Sequence, residues 1–400
     1  MKNAPKYLFP LIVVGVLFFM IGFALGINGL IVPFLRKALD ISNARSYMVL
    51  AATFSTFVIF GYPSGLIIKK IGYKKSMVLS FAFFALGLYL FIPSARFQSF
   101  WLFILASFIS GMGNTLLQAA VNPYITILGP MESAATRMSI MGIANKAAWA
   151  VAPIFLALFL DLNAVSLEDL FLPFRLVTGV FVLMGILICF VPLPEVKALG
   201  EDEKDNTSVC SYAEGKTSIF QFPHLILGLI TLLFYVGVET LAMASIVDYA
   251  SSLGLSDPEN YTGYTVLFMV IGYLAGVLLI PRFLSQNKAM YLCALIGISG
   301  SLGIVLAPAN LSIGFVALLG LANSLIWPAI WPLAIADLGK FTKTGASLLV
   351  MAIVGGAVFP LLFGWLSDIS GNLQQAYWIC LPCYLMILYY GIAGYKIRTK

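Results

Sequence analysis

Twelve times over, this 400-residue chain runs for about twenty residues with almost no charge, and that recurrence constrains the fold before any single motif is read. Only a helix or a closed barrel satisfies its own backbone hydrogen bonds in hydrocarbon, and runs of this length fit helices. Hydrophobic residues make up 61% of the chain and charged residues 10%, which excludes an ordinary soluble domain. The expected fold is therefore an all-α integral membrane protein whose surroundings are the lipid bilayer. Its twelve transmembrane helices are expected at roughly 10–33, 46–68, 76–93, 99–127, 137–160, 171–192, 223–247, 262–283, 288–307, 311–336, 344–366 and 374–396.

An even number of spans puts both termini on one side. Lys and Arg gather in the N-terminal tail, in "KKIGYKK" (69–75), in the loop after helix six, in "PRFLSQNK", in "GKFTK" and in the tail "KIRTK". All of these fall on the terminal side, so the positive-inside rule makes both termini cytoplasmic. Arg36, Lys37 and Arg45 depart from it. Topology explains the net charge of +6, which gives no reason to invoke nucleic acid. The first apolar run is too long for a cleaved signal peptide and is expected to remain as helix one. Cys380 and Cys383 form a CxxC, but inside a membrane helix they read as small apolar thiols.

The longest polar segment, "LPEVKALGEDEKDNTSVCSYAEGKTS" (193–218), reads as a flexible linker and divides the helices six and six. The domains expected are residues 1–192, a linker 193–222 and residues 223–400. Helix four closes with "NPYITILG" and helix ten with "WPLAIADLG", traces of an internal duplication. That arrangement is the one expected of a carrier built from two halves about an axis along the membrane normal. No Walker, HExxH or GxSxG motif occurs, so no enzyme, metal or cofactor chemistry is expected, and His224 reads as structural.

Five stretches, "PSGLIIKKIGYKK" (63–75), "LLQAAVNPYITILGP" (116–130), "RMSIMGIAN" (137–145), "YVGVET" (235–240) and the block 338–372, resemble the fucose–galactose–glucose:proton symporter family of the major facilitator superfamily. The resemblance implies two six-helix bundles in a bacterial cytoplasmic (inner) membrane, around a sugar cavity opened alternately to each side and lined by helices one, four, seven and ten. A sugar asks for amides, hydroxyls and aromatic rings. These helices and helix five offer Asn28, Asn114, Gln118, Asn122, Asn145, Glu239, Asn323, Trp327 and Trp331. For each amide an interhelical hydrogen bond is the bland alternative.

The family also implies an Asp on helix one and a Glu on helix four, used in proton coupling. Here Gly29 and Gln118 stand at those positions, and Lys146 follows the matched Asn145 where a small residue is usual. A charge at mid-membrane costs on the order of 3 kcal/mol and demands a partner or a watery cavity. Lys146 can be structural, can carry the proton itself, can pair with Glu239 across the halves, can stand permanently in place of a cation, or can bind an acidic sugar such as a muramic acid derivative. Lys69, Lys70, Glu132, Arg137 and Lys343 are candidates for closing contacts on the cytoplasmic side. The expected function is transport of a neutral hexose or N-acetylhexosamine by a monomer, with altered or absent coupling to a proton or sodium ion. An acidic or amino-sugar carrier and a non-transporting sugar sensor are the alternatives.

Overall fold

The computed structural model describes residues 4–127, 134–193, 216–279, 283–338 and 341–399. The first span is α1 (Ala4–Gly26) and α2 (Asn28–Leu39), and the second is α3 (Asn43–Ile59) and α4 (Gly61–Ile71). Spans three to six are α5 (Tyr73–Arg96), α6 (Phe100–Ile127), α7 (Ala134–Ala157) and α8 (Phe171–Phe190). Spans seven to nine are α9 (Pro223–Ser252), α10 (Tyr261–Leu279) and α11 (Gln286–Leu306). The tenth is α12 (Ala309–Ser324) with α13 (Ile326–Ile335), the eleventh α14 (Thr342–Met351) with α15 (Gly355–Ser370), and the twelfth α16 (Leu373–Ala376) with α17 (Cys380–Ile392). All twelve expected spans are present, in the expected order.

Several spans that the apolar pattern presents as continuous are broken, and the breaks have local causes. The second bends by 53° between α3 and α4. Pro63 has no N–H to offer the Ile59 carbonyl, so the helical ladder fails there. The tenth breaks at Leu325 for the same reason, since Pro328 cannot bond back to Ser324. Helices α7 and α15 run through Pro153 and Pro360 without a break. In the first span the break falls at Ile27, where the Asn28 side-chain amide donates to the Leu25 carbonyl at 3.0 Å. Asp40, in the left-handed region at φ 49°, ends that span, and Ser42 caps the next by accepting from the Arg45 N–H.

Packing repeats between the halves. α5 lies against α6 and α8, as α11 lies against α12 and α17; α1 lies against α7, as α9 lies against α15. Small residues permit the closest of these approaches. A side chain at Gly22 would strike the Asn145 backbone, and one at Gly355 the Leu233 backbone of α9. Across the halves α3 meets α15 and α10 meets α7, so exchanging the halves exchanges the two contacts. α2 packs along α9 beside them. On the terminal side, α4 lies mainly on α3, α5 and α6 and α13 mainly on α9, α11, α12 and α14, whereas α14 also touches α3 across the halves.

Candidate functional site

Where the halves face each other near mid-membrane, a cavity of about 430 Å³ remains. One wall, from the first half, carries the amides Gln118 and Asn122 on α6 and Asn145 on α7. The opposite wall carries four aromatic rings, and Phe18, Phe54 and Trp149 add three on the first-half side. Trp327 and Trp331, four residues apart on α13, stack with ring centroids 5.7 Å apart, and the Tyr235 ring lies 6.3 Å from Trp327. Tyr273 of α10 completes that wall. Every lining residue sits within about a turn of the middle of its span or on the terminal side of it, so the cavity lies toward the face that carries the termini.

Between the walls the two charges meet. Lys146 Nζ on α7 lies 3.1 Å from Glu239 Oε1 on α9, each side chain 12% exposed. The Tyr235 hydroxyl, one helical turn before Glu239, donates to the same oxygen at 2.6 Å. Lys146 also lies 5.8 Å from the centroid of the Trp149 ring, one turn along α7. The ammonium thus has a carboxylate, an aromatic face and a cavity, the three things that make a mid-membrane charge tolerable.

Of the residues singled out for sugar binding, Gln118, Asn122, Asn145, Glu239, Trp327 and Trp331 line the cavity, together with Lys146. Asn28, Asn114 and Asn323 are buried and do not line it. Asn28 of α2 bonds back across the break to Leu25 of α1; Asn114 Oδ1 accepts from Gln118 Nε2 at 3.0 Å and so orients that amide; Asn323 Oδ1 accepts from the Tyr384 hydroxyl at 2.9 Å. Asn145 has both duties, since its Nδ2 donates to the Phe18 carbonyl of α1 at 3.0 Å. Tyr235, Trp149, Thr240 and Tyr273 belong to the site without having been anticipated. For the first two the signal was available: Tyr235 precedes Glu239 by four residues and Trp149 follows Lys146 by three, so each shares a helix face with a charge.

At Gly29 a Cβ would lie 3.3 Å from the Pro153 ring, 3.8 Å from a Val247 methyl and 4.0 Å from Thr262 Oγ1, a narrow niche between the halves. A larger side chain there needs the Pro153 ring to give by a few tenths of an ångström.

The three cations that broke the charge rule lie at the face opposite the termini, and two of them close it. Arg36 grips Asp248 with Nη2 2.6 Å from Oδ1 and Nη1 2.7 Å from Oδ2, and Nη1 also donates to Asn43 Oδ1 at 2.6 Å. The Asn43 and Ala44 backbone N–H groups, at the start of α3, donate to the two Asp368 oxygens at 2.9 Å each. Lys37 Nζ donates to the Leu162 carbonyl at 3.0 Å and to Ser251 Oγ at 3.3 Å. These contacts tie α2 to α9 and α3 to α15, half to half; Arg45 is exposed. On the terminal face, Lys70 is exposed, whereas Glu132 and the side chains of Lys69, Arg137 and Lys343 lie outside the described residues. His224 is buried, with Nε2 2.9 Å from the Ala336 carbonyl, and pins the start of α9 to the end of α13.

The family model of the Major Facilitator Superfamily matches residues 14–348. The "Glucose/galactose transporter" of Brucella abortus (strain 9-941) is 31% identical, over 99% of this chain and 96% of its own length. The "L-fucose-proton symporter" of Escherichia coli (strain K12) is 26% identical, over 96% of this chain and 93% of its own. Among solved structures, a major facilitator transporter, FucP, in the outward conformation superimposes with a TM-score of 0.72 at 25% identity, covering 98% of this chain and 99% of that one.

Proposed function

The chain belongs to the major facilitator superfamily and, with these relatives, to its fucose–galactose–glucose:proton symporter family, and on that premise we propose that it carries a neutral hexose or N-acetylhexosamine across the membrane by alternating access. The observation that carries the reading is the two-walled cavity. Its volume falls in the usual range for small-ligand sites, about 300–1,000 Å³. Amides facing aromatic rings suit a pyranose, which presents hydroxyl edges and apolar faces. A neutral sugar is favoured over an acidic one, because Lys146 is already matched by Glu239 and an acid would have to displace it.

The halves, residues 1–192 and 223–400 joined by the linker 193–222, move against each other. Lys and Arg on the terminal side support cytoplasmic termini in a bacterial cell, a reading on which the cavity faces inward and the Arg36–Asp248 and Asp368–Asn43 contacts seal the outside. Lys146 pairs with Glu239 in the cavity, and Gly29 and Gln118 leave the family's two acid positions without a carboxylate. Transport by this monomer is accordingly equilibrative, the Lys146 side chain standing where a coupling cation would bind.

Uptake of a labelled sugar panel into proteoliposomes, with and without an imposed pH gradient, tests both parts. Equilibration of a neutral sugar, indifferent to the gradient and lost in Lys146→Ala, is the expected result. Gradient-driven accumulation would overturn the uncoupled reading; binding without flux would overturn transport and favour a sensor.

A further inference from the structure

A second cavity of about 720 Å³ opens at the face opposite the termini, wholly within the first half, and shares no lining residue with the first. It lies between the end of α2, the end of α5 and the start of α8, and its charged lining is Arg96, Arg175 and Glu168. All three are exposed, and among the described residues the ion pairs are Arg36–Asp248 and Lys146–Glu239, so none of the three has an opposite charge within pairing distance. Two guanidinium groups and one carboxylate therefore share a depression without neutralising one another.

The position of Arg175 makes this unusual. Helix α8 is the least buried of the ten spans that qualify singly for the membrane, and its exposed face runs through Leu172, Leu176, Val180 and Leu183. That spacing is one lipid-facing stripe. Arg175 sits inside it, a turn into the helix, between Leu172 and Leu176. Arg96 ends α5 beside Phe97, 70% exposed, and near Trp101, 68% exposed, aromatic rings of the kind that mark the headgroup level. The charged cavity is thus continuous with apolar surface that acyl chains must cover.

We propose that this cavity holds the headgroup of one zwitterionic glycerophospholipid bearing a primary amine, a phosphatidylethanolamine. Its phosphodiester lies between Arg96 and Arg175, which offer forked N–H donors matched to phosphate oxygens. Its ammonium reaches Glu168, and its acyl chains follow the α8 stripe. A choline headgroup has no N–H to give Glu168, and a glycerol headgroup has no positive charge, so the three charges together select the amine-bearing lipid.

Native mass spectrometry of the full chain, released from detergent with equal amounts of phosphatidylethanolamine, phosphatidylglycerol and phosphatidylcholine, reads this directly. The wild type is expected to retain one phosphatidylethanolamine several-fold above the other two. R96Q/R175Q is expected to lose that preference, and E168Q to shift it to phosphatidylglycerol, with thermal unfolding in lipid-free detergent unchanged because all three side chains are exposed. Equal retention of the three lipids by the wild type, or an unaltered phosphatidylethanolamine fraction in folded R96Q/R175Q, would overturn the assignment. Displacement of the lipid by millimolar inorganic phosphate would overturn it too, in favour of a site for a free anion.

Discussion

At the scale of residues, Lys146 and Glu239 do for each other what neither can do alone. Breaking a buried pair by removing one partner typically costs about 3–5 kcal/mol, because the other charge stays behind. With each side chain 12% exposed to the cavity, Glu239→Gln is expected at the low end, about 3 kcal/mol, by thermal unfolding in detergent. Replacing both, as Lys146→Met with Glu239→Leu, is expected to recover most of that stability without restoring uptake, which separates the fold from the function. Gln118→Ala removes an amide held in place by Asn114 and is expected to weaken sugar binding by about 1–3 kcal/mol, read by isothermal titration. The need for a partner was legible in the sequence, since an ammonium in the middle of an apolar run must be satisfied. Glu239 was legible as one candidate partner, but not that the two meet, because Lys146 and Glu239 lie on different helices in different halves and no spacing relates them.

At the scale of elements, the apolar pattern located every span and none of the breaks. Hydropathy measures what the bilayer tolerates, and a break leaves that unchanged. What it misses is whether a proline's lost hydrogen bond is absorbed or yields a bend: Pro63 and Pro328 interrupt their spans, whereas Pro153 and Pro360 do not. The break before Pro328 turns α13 so that Trp327 and Trp331 line the cavity. Pro328→Ala restores an N–H to the Ser324 carbonyl and is expected to straighten the tenth span, withdrawing the tryptophan wall. The check is sugar-induced quenching of tryptophan fluorescence, expected to fall in the variant while its helical circular dichroism holds or rises.

At the scale of the whole molecule, closure opposite the termini combines a few polar contacts between halves with the packing of α3 on α15, where the Tyr47 and Phe363 rings meet edge to face at 5.6 Å. Arg36, Lys37 and Arg45 stood out in the sequence as departures from the charge rule, and two of them are departures with a purpose: Arg36 and Lys37 tie α2 to the seventh span. The resemblance put spans one and seven on one cavity, but no spacing indicated that Arg36 and Lys37 would meet Asp248 and Ser251, so the purpose was invisible until the helices were placed. Asp248→Asn keeps the side chain's size and removes the charge that Arg36 grips. The variant is expected to spend more time open on that face. A cysteine at Thr240 in a background without native cysteines reports it, through faster reaction with a membrane-impermeant thiol reagent added from outside. An unchanged rate would assign the closure to apolar packing alone.

Glu239 and Asp248 are both carried by α9, nine residues apart, which is about 14 Å along a helix axis. One unbroken helix therefore carries the charge that meets Lys146 in the cavity at its middle and the contact that closes the opposite face near its end. Any displacement of Glu239 along the helix axis moves Asp248 with it, so cavity and closed face are joined through a single element, as a key turns a bolt through one shaft.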